Sequence, residues 1–591
     1  MKKVFSVCAM FMTFLSAAQL SAAAENIPTA ATPGAAMPRL QQPSFSTESM
    51  PSVVIPPLRE RPLGAEEGPK IMVKQFELEG VADRPGLIKV AEVKELVESQ
   101  RQKLTAGMTL GQMQLVADEV TTYYRNHGLI LARAYISAQT VTNNTVKITV
   151  LEGKLGAVHS GSGASPDAAA GDLRYSEALL QKPFVPLQGQ AVVKEDFESA
   201  LLYLLDYPGL KYSAVVKPGS TLGTADLYLN VTEERWFNAG FSVDNYGSKY
   251  TGEYRPRLDI LVNNPTKAAD KLGLTFMDTI NPNNDFYWGA AYERPLPWGN
   301  NFIGIDYSRN AFDVGGNLKD LQLSGIAETR DIYLRHSFKR SRTGSVSGLV
   351  RLASITAETL QNNATTFKDD LSVLSAEAQV TDYMDSLLGG GVNNLNISVS
   401  HGFEDFLGAN SSNDVGTSRV GGSGDKAAID FTKVNGEYSR LQKLWTNASL
   451  LFRLKGQASD SALVSVEQFP LGGPDTVRAY RQAQYMMDQG YFTSVELILN
   501  APGFVDRPAF SNRTWGEILQ VSVFYDAAAG WLKDPLANDA ESGYLSGVGI
   551  GVHFGLPGSF SANMSVAKPV GHQVVDDNRD IYTYFKLSYQ Y

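Results

Sequence analysis

The chain has 591 residues, a formal net charge of −10, 53 glycines, 26 tyrosines, 27 phenylalanines and only 19% charged residues. Its length accommodates three or more domains, and its acidic balance excludes a general nucleic-acid-binding protein, which needs a basic surface. Many glycines and aromatic residues with few charges favour a large β structure rich in turns.

The first 24 residues have the pattern of a secretory signal peptide. Two lysines precede an apolar run over residues 4–15, and the small residues of "LSAAAEN" offer a cleavage site near Ala24. The run is too short to span a bilayer. Because the single cysteine, Cys8, lies within the signal, the mature chain has no thiol, disulfide or thiolate metal ligand. These features indicate export to the bacterial periplasm or outer membrane.

Residues 25–69 contain nine prolines. This density predicts an extended linker with at most one short helix, for which the best candidate is Ser44 to Met50.

Two successive segments share one predicted order of elements, β-α-α-β-β. In residues 70–153, "KQFELEGV" is a predicted strand and "VAEVKELVESQRQ" a predicted helix. Thr109 to Gln112 forms a T-x-x-Q capping box that opens a second helix, and "ILARAYIS" and "TVKITVLEG" follow as a strand pair. In residues 154–234, "SEALLQ" and "KEDFESALLYLLDYPGL" are predicted helices, and "KYSAVVKPGS" and "ADLYLNVTEE" are predicted strands. The pattern predicts a repeat of two small α+β domains.

Residues 235–591 alternate apolar and small or polar residues, as in "YLSGVGIGVHFG" and "SFSANMSVAKP". A soluble sandwich also alternates, and the pattern alone leaves open which face points inward. Aromatic residues at strand ends, small polar residues in the opposite rows and an aromatic last residue favour a transmembrane antiparallel β-barrel. No segment after the signal has ~18 consecutive apolar residues, so a spanning structure must be a closed barrel. At ~10 residues per strand plus a turn or loop, the length suits a barrel in the mid-teens of strands.

Several stretches make the chain similar to a known family. They are Met72 to Gly153, "LDYPGLKYSAVVKPGSTLGTADLYLNV", "FSVDNYGSKYTGEYR" and Phe469 to Trp531. The chain resembles the two-partner secretion transporters of the Omp85 superfamily, outer-membrane proteins that export haemolysins and filamentous adhesins. The resemblance implies two POTRA domains in the periplasm and a barrel of sixteen strands in the outer membrane. Because some relatives send an N-terminal helix through the pore, it also makes Ser44 to Met50 a candidate plug helix.

The resemblance assigns a role to "GGPDTVRAYRQAQ". In the family, an extracellular loop folds into the barrel and carries a Val-Arg-Gly-aromatic tetrad at its tip. The matching residues here are Val477, Arg478, Ala479 and Tyr480. The family usually has glycine where Ala479 stands, and glycine allows both positive φ and close approach of the backbone.

A late barrel strand of the family carries a lumen-facing aromatic-x-Asp motif, which corresponds here to Phe524 and Asp526 in "VSVFYDAAAGW". The alternation itself puts Phe524 and Asp526 on the face opposite Val523 and Tyr525. If the apolar row meets lipid, Asp526 points into the lumen, where Arg478 can reach it. The planar guanidinium stays charged and pairs bidentately with a carboxylate, so we expect a solvated pair that fixes the loop's position.

The function implied by the resemblance is protein export. The periplasmic domains would capture an unfolded exported protein, a large exoprotein of the adhesin or cytolysin type, and pass it through the barrel. Candidate capture residues lie between Thr109 and Gly153, and the barrel's surroundings would be outer-membrane lipid. An insertase or assembly factor for β-barrels is the alternative on the same architecture, although two POTRA-like modules favour secretion. A passive pore is a third alternative, which the periplasmic modules argue against.

Catalysis finds little support in the sequence. Six dispersed histidines lack metal-ligand spacing, and the chain contains no G-x-S-x-G stretch and no phosphate-binding glycine loop. We therefore expect no enzyme activity, no metal, no cofactor, no nucleotide and no nucleic acid.

Overall fold

The computed structural model describes residues 32–36, 53–54, 68–103, 107–162, 173–385, 388–411, 414, 416–419, 427–535, 540–571 and 579–591. The predicted signal peptide and the candidate plug helix at Ser44 to Met50 lie outside these residues. The chain divides into two compact units: residues 48–236 with 264–269, and residues 1–47 with 237–263 and 270–591.

Before the barrel, the elements follow in chain order with these bounds: α1 Pro33–Ala36, β1 Val53–Val54, β2 Gln75–Glu79, α2 Val90–Gln102, α3 Leu110–Asn126, β3 Arg133–Tyr135, β4 Thr145–Leu151, β5 Lys154–Ser162, α4 Glu177–Gln181, a 3-10 helix Lys182–Leu187, α5 Lys194–Leu205, β6 Leu210–Pro218 and β7 Thr224–Glu234. Both segments therefore have the predicted order β-α-α-β-β.

The first module packs α2 and α3 on a three-stranded sheet in the order β2-β4-β3. Val93, Val120 and Ile148 lie in its core. The predicted capping box is present. The backbone N–H of Gln112 donates to Thr109 Oγ1 at 3.2 Å, and the backbone N–H of Thr109 donates to Gln112 Oε1 at 3.1 Å. Two N–H groups that the start of α3 would otherwise leave unpaired are thereby satisfied.

The second module contains a strand, β5, that sequence analysis did not assign. It pairs with β7 in parallel, and a register shift separates Leu155 from Val158. The two buried residues are therefore three positions apart, which breaks the alternation expected of a strand. The sheet order is β1-β6-β7-β5, so the proline-rich linker contributes a short strand, β1, parallel to β6.

Sixteen antiparallel strands close a barrel, as predicted, with the last strand paired to the first. Their bounds are β8 Phe237–Asp244, β9 Arg255–Asn263, β10 Lys271–Asp278, β11 Asp285–Pro295, β12 Asn301–Asp313, β13 Leu323–Arg340, β14 Gly344–Gln361, β15 Ala364–Asp382, β16 Gly391–Phe403, β17 Phe431–Trp445, β18 Ala448–Ser459, β21 Gln489–Asn500, β22 Leu519–Trp531, β23 Ser542–Leu556, β24 Phe560–Pro569 and β25 Tyr582–Gln590. Two further short strands, β19 Phe469–Leu471 and β20 Tyr485–Met487, pair with each other and are not part of the barrel wall. A single helical turn, α6 Trp515–Ile518, lies between β21 and β22.

The barrel's outer face is apolar, which answers the question that alternation left open. On β16, Leu395, Ile397 and Val399 are exposed. The alternating residues Ser398 and Ser400 are less accessible and face the lumen. No helix in the described part of the chain has the length and apolar character needed to cross a membrane.

The short helix α1 lies against the inner side of the barrel unit. Asn310 on β12 donates to the Ala36 carbonyl at 3.3 Å. A Cβ on Gly34 would meet the Ser465 carbonyl oxygen at 2.0 Å, so side chains larger than hydrogen are excluded there. This four-residue helix precedes the candidate Ser44 to Met50, which stays a prediction.

We predict that Ile397→Arg impairs barrel assembly and that Ser398→Arg is tolerated. A cation on the lipid face costs about 2–4 kcal/mol near the bilayer midplane, whereas a lumen-facing cation stays hydrated. The fraction of protein that migrates as the compact barrel on unheated denaturing gels measures the difference. Equal loss for both variants would contradict the assigned faces.

Candidate functional site

The connection between β18 and β21 folds back into the barrel. It contains a 3-10 turn at Ser465–Glu467, the hairpin β19–β20 and a tip between the two hairpin strands. The tip opens at Gly472 and Gly473, whose φ values of 95° and 103° are conformations that other residues rarely adopt. Within the tip, the side chains that flank the arginine are almost completely buried, so the loop is a packed element of the lumen. These residues are Val477, Ala479 and Tyr480.

The tip packs against the barrel wall near one set of apolar side chains. Val477, Ala479 and Tyr480 share a hydrophobic cluster with wall residues Phe524, Ala528, Leu545 and Ala567. The Tyr584 hydroxyl on β25 donates to the Tyr480 carbonyl at 2.6 Å. Apolar contacts and this side-chain hydrogen bond to the tip's backbone therefore hold the tip on β22, β23, β24 and β25.

Arg478 binds the wall carboxylate that the sequence singled out. Its Nε donates to Asp526 Oδ2 at 2.8 Å and its Nη2 to Asp526 Oδ1 at 2.9 Å. The Arg478 amide also donates to Asp526 Oδ2, at 3.2 Å. The pairing is bidentate, which fixes orientation as well as distance.

The ion pair is buried, in contrast to the solvated pair expected from the sequence. The Asp526 side chain has no exposed surface, and that of Arg478 is 11% exposed. The reason is the apolar packing of the tip, and Phe524 in particular: the guanidinium carbon lies 3.3 Å from the centre of its ring. Removing one partner of a buried pair leaves an uncompensated charge, at a cost of about 3–5 kcal/mol.

A second carboxylate, missed in the sequence analysis, completes the site. Arg478 Nη1 donates to Glu496 Oε2 at 2.9 Å, and the Ser522 hydroxyl donates to Glu496 Oε1 at 2.5 Å. Glu496 lies on β21 with Ser494, whose hydroxyl donates to Asp526 Oδ1 at 2.7 Å. The alternation of "GYFTSVELIL" gave a usable signal, because it places Phe492, Ser494 and Glu496 in one inward row.

A second arginine, Arg453, lies beside the site. Arg453, Ser494, Asp526 and Gly547 are register partners on the consecutive wall strands β18, β21, β22 and β23. Arg453 Nη2 donates to the Ser494 hydroxyl at 3.3 Å, and its guanidinium carbon lies 5.6 Å from the centre of the Phe492 ring. Arg453 and Arg478 thus both donate to the same hydroxyl.

Ala479, at the position where the resemblance leads us to expect glycine, fits because of a glycine on the wall. Its backbone has negative φ, so no left-handed conformation is required. A Cβ on Gly547 would lie 2.3 Å from the Cβ of Ala479, a separation that real structures do not allow. The methyl group of the tip occupies the space that a wall side chain would need.

The base of the loop has its own buried carboxylate, Asp488, which the sequence pattern did not reveal. Arg419, from the β16–β17 connection, donates through Nη1 to both Asp488 oxygens at 2.8 Å. The backbone amides of Leu463 and Lys533 donate to the same carboxylate at 3.0 and 2.7 Å. Asp488 thus joins three connections at one end of the barrel.

Across the described ranges, the His, Cys, Asp and Glu side chains form no group of three or more that could hold a metal ion.

We predict that Gly547→Ala displaces the loop tip, whereas Gly273→Ala does not. At Gly547 the added methyl would overlap Ala479, while at the lumen-facing Gly273 the nearest atom is an ordinary 3.8 Å away. Ion conductance in planar bilayers reports tip displacement as a rise in open-channel current. Combining Gly547→Ala with Ala479→Gly should restore the wild-type current, and failure of that rescue would contradict the proposed contact.

Two protein-family models match this chain, one over its barrel and one over its first module. Residues 223–554 match the model of the haemolysin secretion/activation protein ShlB/FhaC/HecB, and residues 71–153 match the ShlB-type POTRA domain. The haem/haemopexin transporter protein HuxB of Haemophilus influenzae is 26% identical over 499 residues, which cover 82% of each chain.

Solved structures show the same fold. CdiB from Escherichia coli matches with a TM-score of 0.65 at 20% identity, over 90% of this chain and 93% of that one. BamA from Haemophilus ducreyi lacking POTRA domains 1–3 matches with a TM-score of 0.50 at 13% identity, over 88% and 99% of the two chains. With the family model covering more than half of its length, the chain belongs to the ShlB/FhaC/HecB family, the outer-membrane transporters of two-partner secretion.

Proposed function

We propose that this transporter exports a large secreted protein of the adhesin or cytolysin type as an unfolded chain through its lumen. We further propose that Arg478 and Asp526 form the releasable contact that holds the lumen loop. The observation that carries the proposal is the bidentate pair between a loop tip and the wall, supplemented by Glu496. A passing polypeptide needs the space that the tip fills, so the tip must move for export.

An ion pair suits a contact that must both hold and release. Its geometry specifies one docked position, since the planar fork of Arg478 meets two carboxylates held on neighbouring strands. Once water enters the lumen, each separated charge is hydrated, so the cost of separation falls sharply. Entry of an unfolded chain with its water would therefore weaken the pair at the time when the loop has to leave.

Capture of the exported protein is proposed for the first module, between Thr109 and Gly153. On α3, Leu110 and Leu115 are 47% and 53% exposed, although they belong to a helix whose other apolar residues are buried. Strand β3 lies at an edge of the sheet, the kind of position at which an extended segment can pair. An extended segment could add to this edge while its apolar side chains contact the helix.

The extent of the sequence similarity favours a transporter over an assembly factor. HuxB, a transporter by name, is similar over 82% of this chain, and the ShlB-type model covers the first module. The likeness to BamA is one of fold. Loss of the exported protein from the medium, with other outer-membrane proteins unaffected, is the result expected of a transporter.

We predict that Arg478→Ala lowers export of the partner protein. The variant leaves Asp526 and Glu496 without the loop's cation, so the tip loses its single docked position. The chain is co-expressed with the large exported protein encoded beside it, and that protein is quantified in the medium at matched barrel levels. The control is Arg330→Ala, which removes an exposed arginine from β13.

Three outcomes are distinguishable in this experiment. A fall of roughly tenfold or more with Arg478→Ala alone supports both transport and the loop contact. Export that does not depend on Arg478 keeps the transporter and removes the contact. A wild-type barrel that is well assembled but exports nothing argues for the assembly-factor alternative.

We also predict that Leu110→Ser combined with Leu115→Ser reduces export without altering barrel assembly or conductance. Each leucine buried against a captured chain contributes roughly 1.5–3 kcal/mol, so binding should weaken more than tenfold. Leu222→Ser is the matched control, because Leu222 is 81% exposed on the second module. Unchanged export in the double variant would exclude these two exposed leucines from the capture surface.

A further inference from the structure

The cluster around Asp526 contains one more cation than the loop contact uses. A guanidinium carries five N–H donors. Arg453 has one hydrogen bond, to the Ser494 hydroxyl at 3.3 Å, and its shielded Nε has no partner. Within the part of the chain that the structure describes, Arg453 pairs with no carboxylate. Its charge therefore lacks the compensation that partly buried charges normally have.

The surroundings of Arg453 repeat those of Arg478 one strand away. Arg478 lies over Phe524, two residues before Asp526 on β22. Arg453 lies over Phe492, two residues before Ser494 on β21. The second site has a neutral hydroxyl where the first has a carboxylate. Arg453 is thus held in an arginine site that lacks its anion.

One hydroxyl separates Arg453 from the anion it lacks. The Ser494 hydroxyl accepts from Arg453 Nη2 and donates to Asp526 Oδ1 at 2.7 Å. Arg478 Nη2 is a second donor to that hydroxyl, at 3.4 Å. When Arg478 is docked, it occupies both Asp526 oxygens and one oxygen of Glu496. Arg453 is excluded from the carboxylates by the position of Arg478.

We propose that Arg453 is a standby cation, which takes the place of Arg478 at Asp526 and Glu496 when the lumen loop withdraws. This rests on the proposed function, in which that loop moves. Without a substitute, withdrawal leaves two carboxylates on adjacent strands with no cation between them. With Arg453 moving toward Asp526, the wall stays compensated, and the free energy of withdrawal is lowered.

The proposal predicts opposite effects of the two substitutions on channel opening, although both lower export. Arg478→Ala releases the tip, so it raises the frequency of open-channel events in planar bilayers. Arg453→Met makes the withdrawn state less favourable, so it lowers that frequency and lowers export, each roughly five- to tenfold, the scale of a modest coupling between linked groups. Arg453→Lys retains the charge and should keep most of both activities. An ordinary structural role for Arg453 would loosen the barrel and raise the open frequency.

The full-length protein is tested in bilayers and in the co-expression assay, with Lys455→Met as control. Lys455 is a lumen-facing cation two residues along the same strand, paired with Glu437 at 3.0 Å. Unchanged or more frequent opening in a well-assembled Arg453→Met barrel would overturn the standby role. If Arg478→Ala alters opening and Arg453→Met does not, the loop contact survives and the standby role alone fails. If neither alters it while export continues, the loop contact itself fails.

Discussion

A carboxylate with no exposed surface, Asp526, constrains the whole interior of this barrel. Its charge requires compensation, and the nearest cation that meets it bidentately belongs to a loop rather than to the wall. The loop also makes apolar contacts, between the tip and the side chains of β22 to β24. Apolar burial favours occupancy of the lumen in general, whereas the charge pair selects one position within it. Apolar burial and the ion pair act separately, so the tip can lose its docked position while the loop stays inside the lumen.

The loop is also fixed at its base, by chemistry of the same kind. Asp488 accepts from Arg419 and from two backbone amides, and so it connects the outgoing and returning limbs with neighbouring connections. If the tip moves as proposed, this secured base makes the motion a hinge rather than a detachment. Such a geometry allows repeated opening and reclosing, because the base retains the register from which the tip can dock again.

Sequence reasoning anticipated the features that local pattern encodes. The capping box at Thr109, the helix over Val90–Gln102 and the inward position of Asp526 are of this kind. The number of sixteen strands and the loop tetrad came from the family resemblance. Strand β5 was missed because a bulge breaks its alternation. Glu496 was overlooked although its row alternates as clearly as that of Asp526. Asp488 could not be found, because its partners are 25 to 69 residues away in sequence and follow no period.

The packing of Ala479 against Gly547 means that two distant positions share room for a single methyl group. A tip alanine obliges the wall to have glycine. A tip glycine would remove this overlap and leave a wall methyl group only the Lys568 carbonyl oxygen, at 3.2 Å, as a tight neighbour. Variation at either position is thus interpretable only together with the other. An alanine at the tip is thus accommodated by a glycine on a different strand, so the loop and the wall form a single packing unit at this point.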